Sequence, residues 1–177
     1  TGGGRLAVGL AAEIPAQDLK ATFEDEGNRI FGWRSLARRL LGFWLNAKHA
    51  SEGWKEVLSE RFQDITIGKL KHRGLVPAVN YSTGRGQFFK TPHHPSFELD
   101  HHMRIVDVAL ATAAAPVYFP LARNNRGVFA DGGLVGNAPG LFGLHEVNTF
   151  LTPDQDALIR VLSIGTMTIG ATIRGNA

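Results

Sequence analysis

The feature that most constrains this chain is Phe129-Ala130-Asp131-Gly132-Gly133-Leu134. Val128 to Ala130 reads as a short buried strand. A carboxylate ends it, and two glycines follow at once, so that another backbone or a bound molecule can come close. Ala138 to Asn148 then reads as a helix. Strand, tight turn and helix in that order belong to layered α/β folds. The carboxylate itself has two readings. It either closes an Asx turn between strand and helix, or it takes the proton of a nucleophile's hydroxyl.

The rest of the chain supports alternating layers. Thr1-Gly2-Gly3-Gly4 runs into the small, apolar Leu6 to Ala12, suited to a buried helix packed closely on a sheet, which Pro15 closes. Ala16 to Phe31 predicts a second helix with Leu19, Phe23 and Ile30 on one face, ended by Gly32. Trp33 to Asn46, basic and aromatic with Phe43 and Trp44, has the character of a lid, and Glu52 to Phe62 predicts an amphipathic helix. Leu75 to Tyr81, a polar turn at Ser82 to Gly86, and Gln87 to Lys90 predict a hairpin. Arg104 to Ala115 predicts an alanine-rich helix with Ile105, Val108 and Ala109 on its buried face, stopped by Pro116. Arg160 to Ile164, continuously apolar after its first residue, predicts a central strand.

With 177 residues the chain suits one domain, taken here as residues 1–177. Apolar residues make up 44% and charged residues 20%, which places it among folding, globular sequences. No run reaches the roughly 18 apolar residues that span a bilayer. The absence of cysteine excludes thiol catalysis, disulfides and thiolate metal sites together. A net charge of +3 suits an anionic lipid surface or a phosphate-bearing ligand. No dense arginine and aromatic weave points to a nucleic acid polymer. The pairs His93-His94 and His101-His102 match no zinc spacing and lack a completing carboxylate motif, so no metal and no cofactor is expected.

Two blocks, Ala111-Thr112-Ala113-Ala114-Ala115-Pro116-Val117-Tyr118-Phe119-Pro120 and Asp131-Gly132-Gly133-Leu134-Val135-Gly136-Asn137-Ala138-Pro139, resemble consecutive signatures of the patatin-like phospholipase family. Phe89-Lys90-Thr91-Pro92-His93-His94 and Val161-Leu162-Ser163-Ile164-Gly165-Thr166 fit the same family on either side. The resemblance implies a three-layer α/β fold, a central mostly parallel sheet flanked by helices, and a metal-free serine-aspartate dyad that cleaves acyl esters of glycerolipids. It makes Asp131 the base and puts Thr1 in the slot of the serine, with Gly2, Gly132 and Gly133 supplying backbone around the site. The strand and glycine-rich oxyanion loop that such an enzyme carries would precede Thr1, and further sequence would follow Ala177. On this reading the chain is incomplete at both ends and inactive by itself.

Phe88-Phe89-Lys90-Thr91-Pro92-His93-His94, Gly133-Leu134-Val135-Gly136-Asn137 and Gly143-Leu144-His145-Glu146 resemble the bacterial phospholipases of cyclic-oligonucleotide antiviral signalling. That resemblance implies activation by a cyclic dinucleotide, to which Lys69, Lys71 and Arg73 offer charge, and a cytoplasmic enzyme acting on phospholipid at the membrane surface. Two other readings stay open. One is an inactive lipid- or cyclic-nucleotide-binding relative, with Thr1 a natural replacement of serine. The other is an N-terminal-threonine hydrolase using its own amine as base. If Asp131 is structural, the base falls to His93, His94 or His145.

Overall fold

The computed structural model describes residues 2–31, 55–116, 118–151 and 158–165. Helix α1 (Gly2–Ala11) begins within the glycine run. Its glycines serve close packing: a β-carbon on Gly9 would lie 2.5 Å from a methyl of Leu19 in α2 (Ala16–Phe31). The end of α1 is a Schellman turn. Ile14 N–H donates to Gly9 C=O at 3.0 Å and Glu13 N–H to Leu10 C=O at 2.9 Å, with Glu13 in the left-handed region at φ 59°. Pro15 therefore does not close α1. It opens α2, where its carbonyl accepts from Asp18 and Leu19, and its missing N–H costs nothing at a helix start.

Residues 55–62 form α3, with Leu58 and Phe62 buried one turn apart. The expected hairpin is present: β1 (Leu75–Asn80) pairs with β2 (Arg85–Lys90) from Leu75↔Lys90 to Asn80↔Arg85. Its turn is closed by Gly84 N–H on Asn80 C=O, with Gly84 at φ 69°. β3 (Ala122–Asn124) and β4 (Gly127–Ala130) are joined through Asn125 and Arg126, and the sheet order is β2-β1-β4-β3. The three pairings among the described strands are antiparallel. The expectation of a mostly parallel sheet is corrected for this part of the fold. Two of the pairs are joined by short turns, and such a turn leaves the second strand no direction but the reverse.

α4 (Ile105–Ala113) crosses the sheet and is buried almost all round, at Ile105, Val106, Val108, Ala109, Ala111, Thr112 and Ala113. The one-sided pattern read from the sequence was too narrow, because α1 covers the side that the sheet leaves open. Phe89 and Phe129 close the core with ring centroids 5.3 Å apart. Burying each is worth up to about 3 kcal/mol. After β4 come a single helical turn, α5 (Gly133–Gly136), and α6 (Gly140–Phe150).

The expected strand at Arg160 to Ile164 is not formed. Residues 158–165 have no regular structure, and Leu162 and Ile164 are each 84% exposed. A strand apolar on both faces needs a layer packed on each face and a partner for its backbone groups, and no described strand pairs with it. The lid segment with Phe43 and Trp44, and Gly32, lie outside the described residues. Among the described residues no helix is long and apolar enough to cross a membrane.

Candidate functional site

Asp131 is delivered by β4 and held by the end of α4. Its N–H donates to Ala114 C=O at 3.0 Å, and Gly132 N–H donates to Thr112 C=O at 3.1 Å. One carboxylate oxygen, Oδ1, accepts the N–H of Gly133 at 2.5 Å. The Asx-turn reading thus describes the local geometry, and it fixes the direction of the carboxylate without opposing a chemical role. Gly132 has an ordinary helical φ of −63°, so backbone freedom is not why glycine stands there. A β-carbon on it would overlap Pro77 C=O and lie 2.9 Å from Thr112 Oγ1.

The same threonine meets α1. A β-carbon on Gly4 would lie 2.5 Å from Thr112 Cγ2. One buried side chain therefore packs against both the first turn of α1 and the turn that carries Asp131. Gly2 and Gly3 are exposed at the start of α1, where the first N–H groups of a helix have no partner within it. Of the predicted residues, the structure brings Asp131, Gly132 and Gly133 into one turn. Gly2 lies in the same first turn of α1 as Gly4, which meets Thr112, but its own nearest neighbours are Phe23 and Arg5. Thr1 lies outside the described residues.

The histidines are engaged elsewhere. His94 Nδ1 meets Ser96 Oγ at 2.7 Å, and His145 Nδ1 meets Thr149 Oγ1 at 3.3 Å. His101 hydrogen-bonds Glu98 C=O through Nδ1. His93 is enclosed between Thr91 Oγ1, 2.8 Å from Nδ1, and Glu146 Oε1, 3.0 Å from Nε2. Glu146 also pairs with Lys90 Nζ at 2.7 Å. Sequence reasoning missed this network, and the one signal for it is a lone acid in an otherwise uncharged stretch of α6. Among the described residues no cluster of histidine and acid side chains is arranged for a metal ion.

Of the basic residues at 69–73, Lys71 is paired with Glu13 at 2.6 Å. Arg73 lines a cavity of about 240 Å³ beneath α1, whose other walls include Val8, Leu75, Val76 and Phe89.

Residues 2–141 match the family model described as patatin-like phospholipase. The chain is 83% identical over 175 residues to a cGAMP-activated phospholipase of Pseudomonas aeruginosa, covering 99% of this chain and 53% of that protein. It is 38% identical over 174 residues to a cGAMP-activated phospholipase of Escherichia coli, covering 93% of this chain and 48% of that protein. At 23% identity it matches a calcium-independent phospholipase A2-gamma of Oryctolagus cuniculus, over 92% of this chain and 22% of that protein. The chain thus spans about half the length of the first two of these relatives.

Proposed function

This chain belongs to the patatin-like phospholipase family, and on that premise we propose that the protein carrying it hydrolyses acyl esters of phospholipids, with a hydroxyl nucleophile at the start of α1 and Asp131 as its base. The observation that carries this reading is Thr112, which packs against Gly4 and Gly132 and so holds the helix start and the carboxylate turn on one side chain. In the first step the hydroxyl of residue 1 attacks the ester carbonyl and its proton passes to Asp131. The N–H of Gly2 faces the developing oxyanion, since a helix start stabilises negative charge. Collapse expels the lyso-lipid alcohol, which takes the proton back from Asp131. Water, deprotonated by the same carboxylate, then releases the fatty acid and restores the hydroxyl. No metal takes part in this scheme.

We further propose that a cyclic dinucleotide activates the whole protein. The support is that the P. aeruginosa relative, at 83% identity, is named for activation by cGAMP. An inactive binding relative remains the second reading, and the threonine at position 1 favours it. The N-terminal-threonine hydrolase fits less well, because residue 2 is already helical, whereas that chemistry places its threonine on a strand.

A fluorophosphonate probe, applied to the full-length protein with and without cGAMP, tests the assignment. The expected adduct maps by mass spectrometry to residue 1 and disappears in Asp131→Asn. An adduct on another hydroxyl overturns the nucleophile assignment, and labelling at the same rate with and without cGAMP overturns the activator.

A further inference from the structure

Thr91, His93 and Glu146 stand in the order hydroxyl, imidazole, carboxylate, at 2.8 and 3.0 Å. That order is the one a hydrolytic triad uses, yet it cannot act as one here. Thr91 is 5% exposed and the His93 and Glu146 side chains 4% and 8%, so no substrate reaches the hydroxyl. Thr91 Oγ1 also accepts the N–H of Gly74 at 3.0 Å. Lys90 completes the set: its ammonium meets Glu146 Oε2 and lies 4.2 Å from the ring centre of Phe97 and 4.8 Å from that of Phe150. A buried ionic network adds little stability compared with a well-packed apolar one, but removing one member leaves a charge buried without compensation.

What the network holds is α6. Along the chain from Asp131, three contacts fasten the segment onto β2 and the loop that follows it: Val135 of α5 lies where a β-carbon on Gly86 would meet it at 3.2 Å, Phe142 packs on Phe88 at 4.8 Å between ring centres, and Glu146 binds Lys90 and, just past the strand, His93. Phe142 of α6 sits directly on Gly136 at the end of α5, so closely that a β-carbon there would overlap its ring. Whatever shifts α6 along β2 therefore pulls on α5, whose first turn begins with the Gly133 N–H that orients Asp131 Oδ1.

We infer that Glu146 is a positioning residue for the Asp131-Gly132-Gly133 turn: its buried contacts with Lys90 and His93 dock α6 on β2, and α6 sets the turn through α5. This rests on the reading of Asp131 as base. Misplacement of a catalytic group by about 1 Å can cost on the order of 100-fold in rate, so docking at a distance is enough to matter.

The test uses the full-length protein, a soluble ester and cGAMP. Glu146→Gln is expected to lower kcat roughly tenfold or more, with KM within about twofold, and to speed amide exchange in a peptide spanning 131–140 while one spanning 105–113 stays unchanged. Lys90→Met with Glu146→Gln removes both charges and keeps an acceptor for His93, and it is expected to restore slow exchange and most of kcat. A folded Glu146→Gln with wild-type kcat, or with slow exchange at 131–140, overturns the inference. If that variant does not fold, the double variant decides: slow exchange with kcat still depressed also overturns it. Asp131→Asn in the same assay separates the two claims, since its retained activity refutes the base while the exchange result still reads the docking.

Discussion

Gly132 and Pro77 stand so close that a β-carbon on the glycine would lie only 2.0 Å from the proline's carbonyl oxygen. The obstacle is backbone in the middle of β1 and cannot swing away as a side-chain tip would. Gly132→Ala is therefore expected to destabilise the fold by roughly 1 to 3 kcal/mol or more, and to move the Asp131 turn away from β1. Thermal unfolding of Gly132→Ala beside Gly133→Ala checks this. Equal, small losses in the two variants would show that the turn has more room than the structure gives it.

Gly4 and Gly132 press on the same threonine, which makes a prediction about coupling. Gly4→Ala drives a methyl into Thr112 Cγ2 and should be costly by itself. In a Thr112→Ala background much of that clash is gone, so the same change should cost less. The difference measured over the double-mutant cycle is expected to lie within about 0.5 to 3 kcal/mol. A coupling indistinguishable from zero would mean that α1 does not seat on Thr112.

These contacts explain why some of the fold was legible in the sequence and some was not. The hairpin, α1, α2 and the Asp131 turn are set by neighbours within a few residues, and the turn residues announce them. The small residues of Leu6 to Ala12 point to a buried helix packed closely on a sheet, whereas Gly4 and Gly9 approach Thr112 of α4 and Leu19 of α2, and Leu6 and Leu10 are exposed. Nothing local says which element a small residue faces. Pro15 fits equally well after one helix or before the next, and only the hydrogen bonds of its carbonyl decide. The pairing of Lys90 with Glu146 joins residues 56 apart, beyond the reach of any local pattern. Arg160 to Ile164 failed for a related reason: an apolar run declares that it wants burial on two faces, and does not name what buries it.

The exposed pair Glu13 and Lys71 gives a pH prediction of definite sign. The hydrogen bond from Lys71 lowers the Glu13 pKa below 4.5, against the opposing effect of burial, and the same bond raises the Lys71 pKa above 10.5. The contribution of Glu13 is thus present above about pH 4.5 and lost as pH falls through its lowered pKa in the folded state. That of Lys71 is present below about pH 10.5 and lost as pH rises through its raised pKa. Both groups are solvated, so the effect should be slight and screened by salt. Glu13→Gln is expected to lower the melting temperature a little at pH 7, and by less and less as the pH is taken down from about 4.5. A large loss, or one that does not shrink as the pH falls, would point to the left-handed Schellman turn at Glu13 as the cause.

The chemistry of Asp131 is tested most directly by Asp131→Asn in the full-length protein, assayed on a soluble ester with cGAMP present. Asparagine keeps the shape of the side chain, and its carbonyl oxygen still accepts the N–H of Gly133, so the turn and its contacts to Ala114 and Thr112 should survive. What it loses is the ability to take a proton. General-base assistance contributes on the order of 100- to 10,000-fold, so kcat should fall by that factor while the melting temperature stays close to that of the parent. Asp131→Ala is the companion variant: it removes the Oδ1 acceptor as well, and it should cost stability that Asp131→Asn does not. A rate within a few fold of the parent in a folded Asp131→Asn would make the carboxylate a turn residue only. His93, already enclosed by Thr91 and Glu146, would then be a poor substitute. The exposed His145 and the partly buried His94 would be the next groups to replace.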